Sequence, residues 1–194
     1  MYEGRADDSL SWFQDEPTLS LELVDVLGVG PDESVIDVGG GASRLVDRLL
    51  LKGFTDLTVL DVAASALAAS QHRVGADHHV TWIAQDLASW QPERQYDLWH
   101  DRAVLHFFAH GEVAIYRGLL DRAIARGGAI ILAAFAPDGP QFCSGLPVQR
   151  YSADDLGALL GRSFEIVEQR SETHITPSGV AQPFTWIAAR RSNG

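Results

Sequence analysis

The amino-acid sequence predicts an α/β fold with a doubly wound, mostly parallel sheet of seven strands and helices on both of its faces. Short apolar runs alternate with segments of helical periodicity from residue 17 to about residue 135, an order typical of parallel βαβ units. Two further apolar runs close the chain with no long helix between them, which predicts a C-terminal antiparallel hairpin. We therefore expect a single domain over residues 1–194, with an N-terminal lid and helix in 1–30 and the core in 33–190.

The first elements are predicted from the places where apolar runs stop. Pro17 begins a helix that stops at the turn over 28–31, and Gly53 ends the second helix. The apolar runs between the helices are short enough to be buried strands. In chain order the predicted elements are a helix over 17–27, a strand over 34–38, a helix over 42–52, a strand over 57–60, a helix over 63–73, and strands over 80–84 and 97–100.

The second part of the chain completes the sheet. The pair Gly127-Gly128 indicates a helix cap, and Ser152 indicates the start of a short helix. Turn-forming residues fill 136–140. In chain order the predicted elements are a helix over 111–126, a strand over 129–135, a loop over 141–151, a short helix ending at 160, and strands over 164–170 and 184–190 joined by a connection over 171–183.

A glycine-rich turn after the first strand is the most specific functional signal. The strand ends in the sequence Asp37-Val38-Gly39-Gly40-Gly41-Ala42-Ser43, and Asp61 ends the next strand. Glycine lets a backbone approach a ligand closely, and a carboxylate at the second strand end is placed to accept hydrogen bonds from ribose hydroxyls. This pattern predicts a nucleoside-binding crevice. Arg44 stands where a dinucleotide-binding G-x-G-x-x-G sequence has its third glycine, which argues against a dinucleotide as the ligand. The competing interpretation of the glycines is a tight turn that binds no ligand.

The pattern Asp37-x-Gly39-x-Gly41-x-Ser43 resembles motif I of the class I S-adenosylmethionine-dependent methyltransferases, and the element order over about 33–190 resembles their seven-strand core. The resemblance implies S-adenosyl-L-methionine as cofactor, with Asp37 near its amino-acid end, Asp61 at its ribose and the 85–87 segment at its adenine. The cofactor-binding residues predicted on this basis are Trp12, Asp37, Gly39, Gly40, Gly41, Ser43, Asp61, Val62, Gln85, Asp86 and Leu87.

The segment after the fourth strand is the second functional signal. Substrates meet the cofactor at such a strand end beside the topological switch point of an open sheet. We predict four catalytic residues here, namely His100, Asp101, Arg102 and His106. The Asp-Arg-x-x-Leu order resembles thiopurine and thiol methyltransferases, and it resembles an Asp-Lys-Gly version in protein-lysine methyltransferases, from which Arg102 and Ala103 depart. An ion pair that braces the loop and a packed His106 are the competing interpretations.

Two further segments are expected to cover the pocket. Trp12 and Phe13 precede the first helix, where they either close over the cofactor as a lid or staple the helix to its neighbours. The loop over 141–151, which contains Cys143, is expected to form a wall of the acceptor site. His174 lies in the C-terminal connection and suggests a polar edge of the pocket.

Composition narrows the function further. A net charge of −11 disfavours binding to nucleic acid or to an anionic membrane. The absence of a signal peptide or apolar span favours a cytoplasmic protein, and the lone Cys143 excludes a multi-cysteine metal site. We expect methyl transfer by in-line displacement to a small-molecule acceptor, a thiol or a related nucleophile, with no metal. A protein-lysine methyltransferase and a catalytically silent cofactor-binding regulator are the alternatives.

Overall fold

The computed structural model describes residues 13–76 and 79–192. The helices are α1 (Thr18–Val26), α2 (Leu45–Leu51), α3 (Ala64–Val74), α4 (Val113–Ala123) and α5 (Ala153–Leu160). The strands are β1 (Val35–Val38), β2 (Leu57–Asp61), β3 (Val80–Ala84), β4 (Tyr96–Arg102), β5 (Ile124–Phe135), β6 (Phe142–Cys143), β7 (Leu146–Pro147), β8 (Phe164–Ile175) and β9 (Ala181–Arg191). Short 3₁₀ turns cover Leu105–Phe107 and Gly161–Ser163.

Seven of these strands form one sheet in the order β3-β2-β1-β4-β5-β9-β8. Strands β1 to β5 are parallel, whereas β9 is antiparallel to both of its neighbours, β5 and β8. The predicted fold class, including its C-terminal antiparallel hairpin, is confirmed. The chain leaves β1 toward β2 and later returns to place β4 on the other side of β1. A crevice therefore opens between the carboxyl ends of β1 and β4, which is the switch point of the sheet.

Neighbouring residues of the central strands pack into two different cores. Leu98 packs with Leu23 of α1 and Leu45 of α2, whereas Trp99 packs on the opposite face with Tyr116 of α4. Side chains of a strand alternate between the faces of its sheet, so one buried strand supplies both cores. Helices thus cover both faces, as predicted. Within the described ranges, no helix is long and apolar enough to cross a membrane.

The junction between α4 and β5 differs from the prediction. The helix ends at Ala123, and the strand begins at once with Ile124 and includes the glycine pair that was predicted to cap the helix. Gly127 has a φ of 72°, and the pairing of β5 with β4 shifts register at this level. The glycines therefore form an irregularity within the strand. The prediction was wrong because a positive φ serves a helix cap and a strand bulge equally well.

The two C-terminal strands are longer than predicted. They pair from Phe164 opposite Arg191 to Ile175 opposite Ala181, so most of the connection expected over 171–183 is strand. A tight turn joins them, in which the Thr176 N–H donates to the Val180 carbonyl at 2.9 Å. Strand β8 is the edge of the sheet and is largely exposed, so no continuous apolar run marks its full length in the sequence.

Candidate cofactor and acceptor site

A cavity of about 720 Å³ opens at the carboxyl ends of β1, β2 and β4. Most of the residues predicted from the sequence line it, and these are Asp37, Gly39, Gly40, Ser43, Asp61, Val62, Gln85, Asp86, Leu87, His100 and Arg102. The predicted residues Gly41, Asp101 and His106 are buried and do not belong to this lining. Trp12 falls outside the described residues. The cavity thus brings together the strand ends that the sequence singled out.

The glycine turn leaves no room for side chains. A Cβ atom would lie 2.1 Å from Val104 Cγ2 at Gly39, 2.4 Å from Asp37 Oδ2 at Gly40 and 2.6 Å from Asp61 Oδ2 at Gly41. Gly39 also has a φ of 71°, which L side chains rarely adopt. The turn is closed by a hydrogen bond of 2.7 Å from the Ser43 N–H to the Gly40 carbonyl, and α2 begins only at Leu45. The three glycines therefore let the backbone pass between the two carboxylates.

Asp37 lies at this turn in a buried hydrogen-bond chain. Its Oδ1 is 2.8 Å from Nδ1 of His100, the residue opposite it on β4, and Nε2 of His100 is 2.9 Å from the Ser20 hydroxyl on α1. Among the described residues, the other carboxylate oxygen of Asp37, Oδ2, has no hydrogen-bond partner. A buried carboxylate oxygen in this state suits a ligand with an N–H donor or a positive charge. An amino-acid ammonium group, implied for this position by the resemblance, fits that requirement.

Asp61 ends β2 on the other side of the glycine turn. Its Oδ1 accepts a hydrogen bond of 2.7 Å from the Ala63 N–H. Burial raises the pKa of Asp61, the nearby Asp37 charge adds to this rise, and backbone N–H groups of Ala63 and Gly41 oppose it. The exposed Asp86 follows at the end of β3 and also lines the cavity. Carboxylates at two successive strand ends fit the hydroxyl and amino groups of an adenosine.

Helix α3 braces the glycine turn from behind, which the sequence did not indicate. The buried Ser70 hydroxyl donates to the Gly41 carbonyl at 2.6 Å. Arg73 donates to the Ser43 carbonyl at 2.7 Å and forms two hydrogen bonds of 2.8 Å with Asp47. A serine on the buried face of an alanine-rich helix is the one local hint of this contact. The braced turn holds its N–H groups and carboxylates in fixed positions.

Asp101 supports the loop after β4 rather than facing the cavity. Its carboxylate accepts hydrogen bonds from the N–H groups of Val104 at 2.8 Å and Leu105 at 3.0 Å, and from the Tyr116 hydroxyl at 2.5 Å. Burial raises the pKa of Asp101 to about 6. Asp101 therefore braces the loop through hydrogen bonds with N–H groups and a tyrosine hydroxyl. Val104, which the carboxylate fixes, is itself part of the cavity wall.

His106 is packed among aromatic rings. Its ring centroid lies 4.7 Å from that of Phe135 and 4.6 Å from that of Phe107. Burial, with the charge of Arg102 as a second cause, lowers the pKa of His106 to about 3. The imidazole is therefore neutral at physiological pH. These aromatic contacts agree with the interpretation of His106 as a packed side chain, which the sequence left open.

Arg102 lines the cavity from the end of β4. Its guanidinium lies 4.8 Å from the centroid of the Phe184 ring. Burial lowers the pKa of Arg102 to about 10, against the charge of Glu172, so the side chain stays positive at neutral pH. Glu172 in turn accepts hydrogen bonds from Gln14 at 2.8 Å and from the Trp186 indole at 3.0 Å. These contacts connect the cavity wall to the N-terminal segment and to the edge strand.

The predicted loop over 141–151 contains a small hairpin, β6–β7, that closes one side of the cavity. Cys143, Ser144, Leu146 and Pro147 of the hairpin line it. Ser144 and Gly145 have φ values of 52° and 82°, which form a tight turn. Burial raises the pKa of the Cys143 thiol. The hairpin thus supplies a mostly apolar wall, whereas His174 lies buried on β8 away from this lining.

The lining of the cavity is chemically mixed. Carboxylates lie around the glycine turn, and the lining also includes Arg102 and the apolar side chains of Phe107, Phe108 and Leu146. Among the residues in 13–76 and 79–192, no group of three or more His, Cys, Asp or Glu is placed to hold a metal ion. This arrangement can bind a nucleoside through its hydroxyl and amino groups and present an apolar space to a second molecule.

Comparison with protein families places this geometry among methyltransferases. The family model of nodulation protein S (NodS) matches residues 16–126. Nodulation protein S of Rhizobium tropici is 29% identical over 108 residues, which cover 54% of this chain and 44% of the relative. Malonyl-[acyl-carrier protein] O-methyltransferase 2 of Ilyobacter polytropus is 22% identical over 125 residues, covering 60% and 46%. The chain therefore spans less than half the length of these two relatives.

Solved structures share the fold over nearly the whole chain. The N-methyltransferase NodS of Bradyrhizobium japonicum WM9 superposes with a TM-score of 0.71 at 16% identity, covering 92% of this chain and 98% of that one. A 1,6-didemethyltoxoflavin-N1-methyltransferase of Burkholderia thailandensis, with 1,6-didemethyltoxoflavin and S-adenosylhomocysteine bound, has a TM-score of 0.70 at 21% identity, covering 89% and 76%. At these identities the likeness establishes the fold.

Proposed function

Because this chain belongs to the nodulation protein S family, we propose that it is an S-adenosylmethionine-dependent methyltransferase with a small nitrogen-containing molecule as acceptor. The observation that supports this proposal most is the pair of carboxylates around the glycine turn. Asp37 offers an oxygen with no partner among the described residues, and Asp61 ends the neighbouring strand. The two relatives of known structure described above are named as N-methyltransferases.

The residues present fit the cofactor. Asp37 would hold its ammonium group, Asp61 its ribose hydroxyls, and Asp86 with Leu87 its adenine. S-adenosylmethionine, when bound, supplies a methyl group already activated on a sulfonium. The protein then has to bind, align the acceptor in line and exclude water.

The size of the cavity supports a small acceptor. Cofactor and acceptor must share about 720 Å³, which lies within the range of about 300–1,000 Å³ found for small-molecule sites. The hairpin β6–β7 and the side chains of Phe107 and Phe108 line this cavity together with the carboxylates. A pocket of this size favours a free small molecule as acceptor over a lysine on a folded protein.

The acceptor end offers little help with proton removal. Both nitrogens of His100 are engaged by Asp37 and Ser20, and the low pKa of the buried His106 leaves that ring a very weak base. An acceptor that arrives as a free nucleophile needs no base. A ring nitrogen or weakly basic amine meets this condition, as does a thiolate, whereas a hydroxyl does not. Two of the proteins compared above are named as N-methyltransferases, one is named as an O-methyltransferase, and none of them is named for a sulfur acceptor, which supports nitrogen over sulfur.

The proposal is tested with methyl-labelled S-adenosylmethionine and four acceptor panels, namely amines and ring nitrogens, thiols, hydroxyl compounds, and lysine-containing protein. We expect label in the nitrogen panel and micromolar or tighter binding of S-adenosylhomocysteine. Label in thiols would move the acceptor to sulfur, and label in protein would support the lysine alternative. Cofactor binding without transfer to any panel or to a metabolite extract would indicate a regulator. Failure to bind S-adenosylhomocysteine, or tight binding of NAD, would overturn the proposal.

A further inference from the structure

We infer that His100 and Ser20 are positioning residues that set one oxygen of Asp37 for the cofactor's ammonium group, so that α1 takes part in cofactor selection. This inference rests on the proposed function, since it assigns a role within the same site. The sequence suggested His100 as a catalytic residue. The inference goes beyond the proposed function because it makes His100 a residue that positions Asp37 instead.

The first argument is the asymmetry of the Asp37 carboxylate. Oδ1 lies 2.8 Å from His100 Nδ1, whereas Oδ2 has no partner among the described residues. Because an ionised carboxylate can only accept hydrogen bonds, Nδ1 of His100 is the donor. The bond stops the carboxylate from rotating and leaves Oδ2 for a donor that comes from the cavity. A buried oxygen without a partner costs free energy until such a donor arrives, so ligand binding recovers that cost.

The second argument is how firmly the imidazole is held. Residues 37 and 100 are opposite one another in the parallel pair β1–β4, so their side chains leave the sheet on the same face. On the far side of the ring, Nε2 lies 2.9 Å from the Ser20 hydroxyl, and the Trp186 ring lies alongside with centroids 6.5 Å apart. His100 is 3% exposed. Its two polar contacts therefore fix its orientation from both ends.

The third argument concerns the position of Ser20. It lies on the buried face of α1 beside Leu23 and Val24, where an apolar residue would normally pack. Ser20 also lines the cavity, as do Pro17 and Gln14 just before it. The start of α1 thus reaches the ammonium end of the cavity through the chain Ser20–His100–Asp37. A ligand that recruits Asp37 Oδ2 should consequently stabilise the position of this helix.

The inference is tested by comparing two ligands that differ only at the end in question. S-adenosylhomocysteine has the ammonium-bearing amino-acid part, whereas 5′-methylthioadenosine retains the adenosine and lacks that part. Affinities for both are measured by calorimetry on the wild type, His100→Leu, His100→Asn and Ser20→Ala. Thr58→Val is the matched control, because Thr58 is equally buried on β2.

We expect His100→Leu to weaken S-adenosylhomocysteine binding about 10- to 100-fold and to change methylthioadenosine binding less than about threefold. His100→Asn places an amide N–H near the former Nδ1 and should restore most of the loss. Ser20→Ala should show a smaller loss in the same direction, and Thr58→Val none. If His100→Leu does not fold, the Asn and Ala variants give the same comparison.

Three results would overturn the inference, and they differ from failure of the proposed function. Equal weakening of both ligands would make His100 a structural residue, as would unchanged affinity for S-adenosylhomocysteine in every variant. If the wild type bound neither ligand, the proposed function itself would fail. Wild-type binding of both with equal affinity would show that the ammonium end contributes nothing and would also overturn the role of His100.

Discussion

At the scale of single residues, the glycine turn and its two carboxylates form one unit. Asp37 is held by a side chain, whereas Asp61 accepts hydrogen bonds from the backbone. Each has an oxygen against which a Cβ atom on a turn glycine would collide. Changes in either the carboxylates or the glycines are therefore expected to affect ligand binding first.

Replacing Asp61 with alanine is expected to weaken S-adenosylhomocysteine binding about 10- to 100-fold, since hydrogen bonds to a charged group contribute about 1.5–3 kcal/mol. Asp32→Ala is the control, because Asp32 is exposed, does not line the cavity and should leave the affinity unchanged. Calorimetry on both variants decides the point. Unchanged affinity in Asp61→Ala would contradict the ribose assignment.

Replacing Gly40 with alanine should remove cofactor binding and destabilise the fold by about 1–3 kcal/mol, because a Cβ would lie 2.4 Å from Asp37 Oδ2 and 2.8 Å from Val59 Cγ1. At Gly111 a Cβ would meet nothing within 4 Å, so Gly111→Ala should keep both properties. Thermal unfolding and ligand titration measure the two effects. Native affinity in the Gly40 variant would show that the turn can adapt.

Several site residues could be predicted because they are contiguous in sequence or end a strand. The glycine turn, Asp61 and Asp86 are of this kind. Ser20 is different, since it contacts His100 across 80 positions of the chain and sits in an ordinary helix. The orientations of Asp101 and His106 were equally hidden. Proximity to a strand end predicts that a side chain is near the site, but packing decides which way it points.

At the scale of elements, the loop after β4 depends on the buried carboxylate of Asp101. It joins the strand end to the 3₁₀ turn and to α4 through the Tyr116 hydroxyl. Ala103, between them, has a φ of 73°, a strained value for a non-glycine residue. The loop is therefore held in shape by hydrogen bonds rather than by local preference.

The raised pKa of Asp101 predicts a pH effect on stability. Its folded value of about 6 exceeds the ordinary 3.8, so the folded chain binds the proton more tightly. The corresponding stabilisation, about 3 kcal/mol, is fully present below pH 3.8 and is lost as pH rises through about 6. Urea unfolding of the wild type and Asp101→Asn between pH 4 and 7 tests this. As pH rises, the free energy of unfolding of the wild type should fall relative to that of the variant. A difference that stays constant with pH would contradict the raised pKa of Asp101.

Secondary-structure predictions were correct where the hydrophobic periodicity agreed with the turn-forming residues at the ends of a segment. They failed where one sequence signal fits two different structures. The parallel strands β1 to β3 end where their apolar runs end. The pair Gly127-Gly128 served a strand bulge instead of a helix cap. The edge strand β8 alternates too irregularly to be seen without β9 beside it. Both failures reflect pairing with a neighbouring strand, which the sequence of one segment alone does not encode.

At the scale of the whole molecule, the N-terminal segment is tied to the opposite end of the chain. Gln14 donates to Glu172 across 158 positions, next to the cavity that Gln14 also lines. The sequence suggested that this region closes over the cofactor, and its aromatic Trp12 lies outside the described residues. The Gln14 contact would give the predicted closure an anchor on β8.

Closure predicts slower hydrogen exchange in residues 13–20 when S-adenosylhomocysteine is bound than when it is absent. Gln14→Ala removes the anchor and should reduce this difference and speed ligand release. Arg94→Ala, which breaks an exposed ion pair with Asp56, is the control and should change neither. Equal protection with and without ligand would rule out the lid and leave a permanently docked staple.

The hairpin β6–β7 is a wall of the cavity that lies far along the chain from the predicted cofactor carboxylates. Asp37, Asp61 and Asp86 fall inside the segment that the family model matches, whereas the hairpin lies beyond it. Its turn is exposed, and its two short strands pair only with each other. Replacing the exposed turn residues 144–146 is therefore expected to alter which acceptor fits and to leave cofactor affinity unchanged. Chimaeras that carry another hairpin at this place should still bind S-adenosylhomocysteine but prefer a different acceptor. That result would show that the hairpin determines acceptor specificity separately from cofactor binding.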